Sequence, residues 1–212
     1  MGPPVCSLTA TIGPMTATEK IDGRTARARR TREAIVDATL ALLDGGNLRP
    51  SAEQIAERAG VSPRSIFQHF GDRETLQRAV GMRQTERVSQ LVEHLPDTGP
   101  FDVRLQGFVD QRARVLEFIT PVRRAALLNE PFSAPSHNAL QAWRAFKRAE
   151  AERVFGPELA ACPAGERDEV RRALGAACDW STWESLRAHQ ELTVDEAKAA
   201  MRRTIVGLLH RS

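Results

Sequence analysis

Residues 51–76 read SAEQIAERAGVSPRSIFQHFGDRETL, and the fold is read outward from them. Ser51 follows Pro50 where a helix would begin, and Gln54 three residues later completes a capping-box pattern. A short helix is therefore predicted over 52–59, with Ile55 and Ala59 turned inward. Gly60, Val61 and Ser62 form a turn. Pro63 takes the first position of a third helix, where its missing N–H removes no helical bond. Ile66, Phe67 and Phe70 supply that helix's buried side. Gly71 stops it, and Asp72 caps a fourth helix carrying Leu76 and Val80. Two helices joined by a tight turn around a glycine are the geometry of a DNA-binding helix-turn-helix, although short amphipathic helices with a glycine turn also occur for other reasons.

Upstream, Ile35, Ala38, Leu42 and Leu43 recur at helical spacing, which predicts a first helix from Thr25 to Asp44, ended by Gly45 and Gly46. Between Gly23 and Arg32 lie Arg24, Arg27, Arg29, Arg30 and Arg32 with no acidic residue among them. Such a run is either a solvated arm or a strip that meets a polyanion. Residues 1–22 hold Gly2, Pro3, Pro4, Gly13 and Pro14 and no basic segment followed by an apolar one. They are read as a disordered leader rather than a secretory signal, and Met15 is a possible true start.

The stretches TREAIVDATLALL (31–43), SAEQIAERAGVS (51–62) and SIFQHFGDRETL (65–76) resemble the TetR (tetracycline-repressor) family. That family's signature is an Ile-Ala-x-x-Ala-Gly-Val-Ser segment, then Leu-Tyr-x-His-Phe, then a polar step into Lys-Glu-x-Leu. Residue types and spacing agree across three consecutive elements, over Arg30 to Val80. Phe67 stands where the family usually has Tyr, which removes a hydroxyl able to touch a phosphate. Arg73 stands where Lys is usual and keeps the charge.

The resemblance implies an all-α chain of about nine helices. A DNA-binding domain over 23–80 would be followed by a ligand-binding and dimerisation domain over 81–212. It implies a regulator, expected to be a repressor, that binds palindromic operator DNA as a homodimer and is released by a small molecule. A ligand-independent or architectural DNA-binding protein is the alternative.

A recognition helix presents residues near its N-terminus to base edges, here Ser62, Arg64, Ser65 and Gln68. Arg64 suits guanine O6 and N7, and Gln68 suits adenine N6 and N7. Ser51, His69 and Arg73 are placed by the resemblance at phosphates, with Phe67 on the same face. For His69 a bond to backbone at the helix end is the plain alternative. Arg27 and Arg30 are read as an arm that lies on the DNA or is simply solvated.

Downstream the pattern stays helical. The fourth helix is expected to continue through Val88, Leu91, Val92 and Leu95 until Pro96. Phe101 to Ile119 mark a fifth helix that Pro121 ends or kinks. A shorter sixth covers 122–129, and residues 130–135 form a loop. Ser136 caps a seventh helix with Leu140, Trp143 and Val154 on one face. After a loop over 156–163, the eighth helix runs from Glu166 to His189. The ninth runs from Val194 to His210, capped by Thr193 and Glu196.

The last two helices carry Leu174, Cys178 and Ser181 on one face and Ala197, Met201, Thr204, Ile205 and Leu208 on the other. Both stripes are read as the dimer contact rather than as packing within one chain. The resemblance also implies a cavity among the middle helices, with Phe108, Arg112, Leu127, Trp143, Trp180 and Trp183 as candidate lining. Each aromatic taken alone reads more readily as core or interface. Arg112, within an apolar stripe, either holds an anionic ligand, reaches to water or pairs internally.

The bulk numbers fit this reading. Of 212 residues 42% are hydrophobic and 27% charged, net charge is +3, and mean hydropathy is −0.36. No apolar run reaches the roughly 20 residues a membrane-spanning helix needs, so no membrane partner is expected. Cys6, Cys162 and Cys178 are odd in number and far apart, which fits reduced thiols in a cytoplasm. His69, His94, His137, His189 and His210 are scattered, and no nucleophile elbow, Walker loop or paired-cysteine motif occurs. No enzyme activity, metal or cofactor is expected.

Overall fold

In the computed structural model, which describes residues 17–210, the chain is all-α, with no strand among those residues. Helix α1 is Ala17–Asp44, α2 is Ala52–Ala59, α3 is Pro63–Phe70 and α4 is Arg73–Ser89. Helix α5 is Phe101–Leu127, α6 is Ala134–Val154, α7 is Gly156–Ala161 and α8 is Arg167–Ala177. Helix α9 is Trp180–Glu184 and α10 is Val194–Leu209. A 3-10 turn at Glu130–Phe132 leads into α6, and a π-type turn at Ser185–His189 follows α9.

Helices α2, α3 and α4 start where their capping residues put them. The Ser51 hydroxyl accepts from the Gln54 amide at 3.3 Å while the Gln54 side chain accepts from the Ser51 amide at 2.9 Å. Gly60 closes α2 at φ 67°, a left-handed conformation that glycine enters without a Cβ clash. Ser62 caps α3, and the Asp72 carboxylate accepts from the Thr75 amide at 2.7 Å to cap α4. Each such cap contributes about 1 kcal/mol. These ends fix the crossing of α2 and α3, so that Ile55, Ala56, Ile66 and Phe70 meet Ile35, Leu40 and Leu43 of α1 and Leu76 and Val80 of α4 in one core. Phe67, expected on the buried side, is 60% exposed. It lies one residue past Ile66, roughly 100° around an eight-residue helix whose inward stripe is only Ile66 and Phe70.

Several expected boundaries move. Helix α1 begins at Ala17 instead of Thr25, so the basic run is helical rather than an arm. The leader expected over 1–22 lies outside the described residues up to residue 16. Helix α4 ends at Ser89, because Leu95 leaves it to reach the second core. The departing strand of chain is held by Gln111, whose side-chain oxygen accepts from the Glu93 amide at 2.7 Å, and by Arg153, which donates to the Leu95 carbonyl at 2.8 Å.

Pro121 lies inside α5, and the expected sixth helix is the last part of α5. Ser133, not Ser136, caps α6: its hydroxyl accepts from the Ser136 amide. The expected loop over 156–163 contains α7. The long eighth helix is broken, since Asp179 adopts an extended conformation (φ −78°, ψ 157°) and caps a new helix through Ser181. A good N-cap outweighed the apolar periodicity that runs across it.

The second core joins Leu105, Phe108, Val109 and Leu116 of α5 to Val154 of α6, with Phe155, Leu174, Trp183, Met201 and Ile205 around them. Phe108 meets Phe155 edge to face at 5.0 Å between ring centroids. This packing corrects the stripe read as a dimer contact. Leu174, Cys178, Ala197, Met201 and Ile205 are all buried inside the single chain and have no surface left for a partner. Leu208 is partly buried against the same core, and of the eight only Ser181 and Thr204 are exposed.

Ile205 sets a test of this core. Ile205→Ala is expected to lower unfolding free energy by about 2–5 kcal/mol through lost burial and a residual cavity. Urea titration should show a lower midpoint with unchanged slope; an unchanged midpoint would contradict the packing.

Candidate DNA-contacting face and internal cavity

The outer face of α3 carries Arg64, Phe67 and Gln68, all exposed, with Ser65 and His69 partly so. Ser62 Oγ lies 3.2 Å from Ser65 Oγ and accepts from the Ser65 amide, so these hydroxyls are tied to the start of α3. Ser51 and Arg73 are exposed at the starts of α2 and α4, and Arg27 and Arg30 are exposed on α1. The side chain expected to contact DNA is thus exposed or half-exposed in every case. The arrangement offers a short helix N-terminus, hydroxyls and guanidinium groups, a donor set suited to phosphate oxygens and base edges.

Arg32 was not singled out within the basic run, yet it positions the reader helix. Its guanidinium lies 4.1 Å from the Phe70 ring centroid and donates to the His69 carbonyl, which ties α1 to the end of α3. A sequence shows five arginines alike; only the crossing of α1 and α3 separates this one. At the start of α4, the amide of Thr75 holds the Asp72 carboxyl below its ordinary range, so the cap stays charged at neutral pH.

Behind this face lies a cavity of about 760 Å³. One wall is Ile66, Leu76 and Val80 of the first core together with the exposed Phe67, and the opposite wall is Leu116, Ile119, Leu140, Trp143 and Trp180. Of the six residues expected to line a cavity, Arg112, Trp143 and Trp180 do so. Phe108 and Trp183 are instead fully buried core, and Leu127 packs against that core. Large aromatics at helical spacing give the same sequence signal in both roles. Trp180 donates its indole N–H to Thr120 Oγ at 3.0 Å, and Trp183 donates to Glu117 at 2.7 Å.

Cations outnumber carboxylates in the cavity lining, where Arg73, Arg78, Arg112, Arg123, Arg144 and Lys147 face Asp72, Glu74 and Asp179. Arg112 is 2% exposed and donates to Glu150 and the Lys147 carbonyl, both at 3.0 Å, and to the Cys178 carbonyl at 3.3 Å. Of the three fates open to Arg112 from sequence, it takes internal pairing. Burial and the neighbouring Arg112 charge lower the Lys147 pKa, and Glu150 at 3.3 Å opposes that. Arg144 grips Glu130 with two bonds of 2.6 and 3.1 Å, which holds the Glu130 carboxyl low. Arg123 also lines the cavity, and its Nε is buried without a hydrogen-bond partner. Its neighbour Arg124 instead turns to Glu184 at 2.7 Å. Among the described residues no group of three or more metal-ligating side chains comes together.

Residues 35–80 match a family model described as bacterial regulatory proteins, tetR family. Among curated proteins no sequence matches the chain. Solved structures extend the likeness beyond the tetR-type helices. A protein of Mesorhizobium loti MAFF303099 described as a TetR-family transcriptional regulator is 18% identical with a TM-score of 0.60, over 86% of this chain and 96% of that one. A tetR-family transcriptional regulator of Streptomyces coelicolor is 17% identical with a TM-score of 0.64, over 85% and 80%. A transcriptional regulator of Rhodococcus sp. Rha1 is 16% identical with a TM-score of 0.62, over 86% and 95%. The chain has the fold of a tetR-family transcriptional regulator. No helix among the described residues is long and apolar enough to cross a membrane.

Cys178 reports on how closed the cavity's inner wall is. Burial pushes its thiol up to about 11, so almost none is thiolate at pH 8. Replacing it by serine should leave the number of thiols that react with an aromatic disulfide reagent at pH 8 unchanged in the folded protein and lower it by one in urea. A fast-reacting thiol lost with Cys178 would show that wall to be open.

Proposed function

We propose that the chain is a cytoplasmic transcription repressor that binds palindromic operator DNA as a homodimer and leaves it when a small molecule enters the cavity. The match of the N-terminal helices to the tetR family, on a reader whose polar side chains all lie outward, carries this reading. In it, α3 enters the major groove, with Arg64 and Gln68 at base edges and Ser51, His69 and Arg73 at phosphates. Arg27 and Arg30, on the exposed face of α1, extend the phosphate track. Phe67 contacts the DNA through its ring alone.

A twofold operator needs two readers, and α8 and α10 remain the elements proposed for the dimer. Their inward stripes are occupied by the core, so the contact falls to their outer faces. Ala173 and Ala176 on α8 and Ala200, Thr204 and Gly207 on α10 are exposed or half-exposed there, and their small side chains permit close approach of a second pair of helices. The cavity supports release by a ligand over the alternative of a constitutive DNA binder, since its volume lies within the roughly 300–1,000 Å³ of small-molecule sites.

Two measurements test the reading. With operator selected from random duplexes, Arg64→Ala should weaken operator binding by about 1–3 kcal/mol and relax sequence preference, whereas Arg73→Ala should weaken all sequences alike and flatten the salt dependence. Parent-like operator binding by Arg64→Ala would remove it from the readout. For assembly, light scattering should give twice the 23.4 kDa chain mass, and Ala176→Arg combined with Thr204→Arg should give the single mass with unchanged helical content. A dimer that survives both substitutions would place the contact elsewhere.

A further inference from the structure

Four cations from α5 and α6 line the cavity: Arg112, Arg123, Arg144 and Lys147. Three are matched by carboxylates, since Glu150 serves both Arg112 and Lys147 and Glu130 serves Arg144. Arg112 leaves only its Nε without a partner. Arg123 differs from all three. Among the described residues it forms no salt bridge and no side-chain hydrogen bond, and its Nε is buried.

The charged groups facing Arg123 are Arg144, Asp179 and Glu130. Glu130 is bound to Arg144 by both oxygens. Asp179 is committed to the start of α9, where it accepts from the Ser181 amide at 3.0 Å and from the Ser181 hydroxyl. Burial and the like charge of Arg144 lower the Arg123 pKa, the direction expected of a cation lacking an acceptor. Arginine nevertheless remains charged, so the site holds a half-buried, unpaired guanidinium in front of an apolar space.

We propose that the cavity takes an apolar ligand ending in one carboxylate, anchored by the free guanidinium of Arg123, with Leu116, Ile119, Leu140, Trp143 and Trp180 around its body. The proposal rests on the reading of the chain as a ligand-released regulator and names the chemistry of that ligand. A neutral ligand would exclude water from the guanidinium and supply no charge in return, which is unfavourable. A cation would meet Arg123 and Arg144 together. A carboxylate's two oxygens match one guanidinium fork, whereas a phosphate dianion would call on a second free cation beside Arg123, and the other lining cations of α5 and α6 are already paired.

Probes are decanoate and 4-phenylbutyrate, each beside its neutral amide, added to the full chain below micellar concentration. Binding is read by tryptophan fluorescence, to which Trp143 and Trp180 contribute, and by calorimetry. The parent should bind each acid at least tenfold more tightly than its amide. Arg123→Gln should lose that preference while binding the amides within about twofold of the parent, and Arg123→Lys should keep part of it. Thermal unfolding monitors the fold of each variant. Equal binding of acid and amide, binding of neither, or a preference that survives Arg123→Gln would overturn the proposal. DNA titration without ligand separates this from the wider reading: a chain that binds operator but ignores the acids loses only the ligand class. A chain that prefers the acids but binds no DNA loses the regulator reading.

Discussion

One helix passes through both hydrophobic cores. The first part of α5 places Leu105, Phe108, Val109 and Leu116 in the second core, and its last turns place Val122 and Ala125 against the first. The N-terminal helices therefore pack on the same rod that the second core is built around. Pro121 sits between the two sets, where it lacks an N–H for the helix ladder. One residue earlier, the Thr120 hydroxyl turns back to the Leu116 carbonyl at 2.7 Å. Burial on both sides keeps the helix continuous across a residue that would end an isolated one.

Helix α4 gives a second link. Arg83 and Arg87 reach Asp37 and Asp44 on α1, both at 2.9 Å, and Arg87 also lies 4.7 Å from the Phe118 ring centroid on α5. These pairs are partly exposed, and each contributes little to stability on its own. Their effect is geometric, since one guanidinium touches α1, α4 and α5 together. The buried pairs behave differently. Arg104 with Glu158 and Arg112 with Glu150 are nearly free of solvent, and removing one partner would strand a charge in the core. Backbone carbonyls complete their shells, at Val154 for Arg104 and at Lys147 and Cys178 for Arg112. Such sites tolerate only one arrangement of α5, α6 and the α8–α9 junction. That fixed frame is what leaves Arg123 without an acceptor.

The sequence signals that transferred to structure were local ones. Ser51 with Gln54, Asp72, and Thr193 with Glu196 each cap the helix they were expected to cap, because a cap depends on its own few neighbours. Signals that depend on the partner of a face did not transfer. The Ala197–Met201–Ile205 stripe reads the same whether it meets its own chain or a second copy, and it meets its own chain. Likewise Arg112 and Arg123 are both arginines on one helix, and nothing in the sequence says that Glu150 will reach one and no carboxylate the other. Trp143, Trp180 and Trp183 separate into two cavity residues and one core residue only after α8 breaks at Asp179. Competing local preferences explain that break: apolar spacing favoured a long helix, while aspartate favoured a new start.

The placement of the cavity links these points. Its walls come from the reader core on one side and from α5, α6 and α9 on the other, so an occupant would touch both halves at once. Contact with both halves is not sufficient for control. A ligand moves an equilibrium only by the difference in its affinity for the two states, and DNA and ligand must oppose each other by the same factor. The difference has to arise where the walls can shift relative to one another. The second core and its buried ion pairs make one wall rigid. The opposite wall is carried by α4, whose last residues lead straight into the extended segment before Leu95. That segment is pinned by Gln111 and Arg153 rather than by a helix, while the last turn of α4 is held by Arg87 on Asp44 and by the buried Val88. Helix α4 lines the cavity and follows α3 across Gly71 and Asp72, so a shift of α4 would alter the cavity and the position of α3 together.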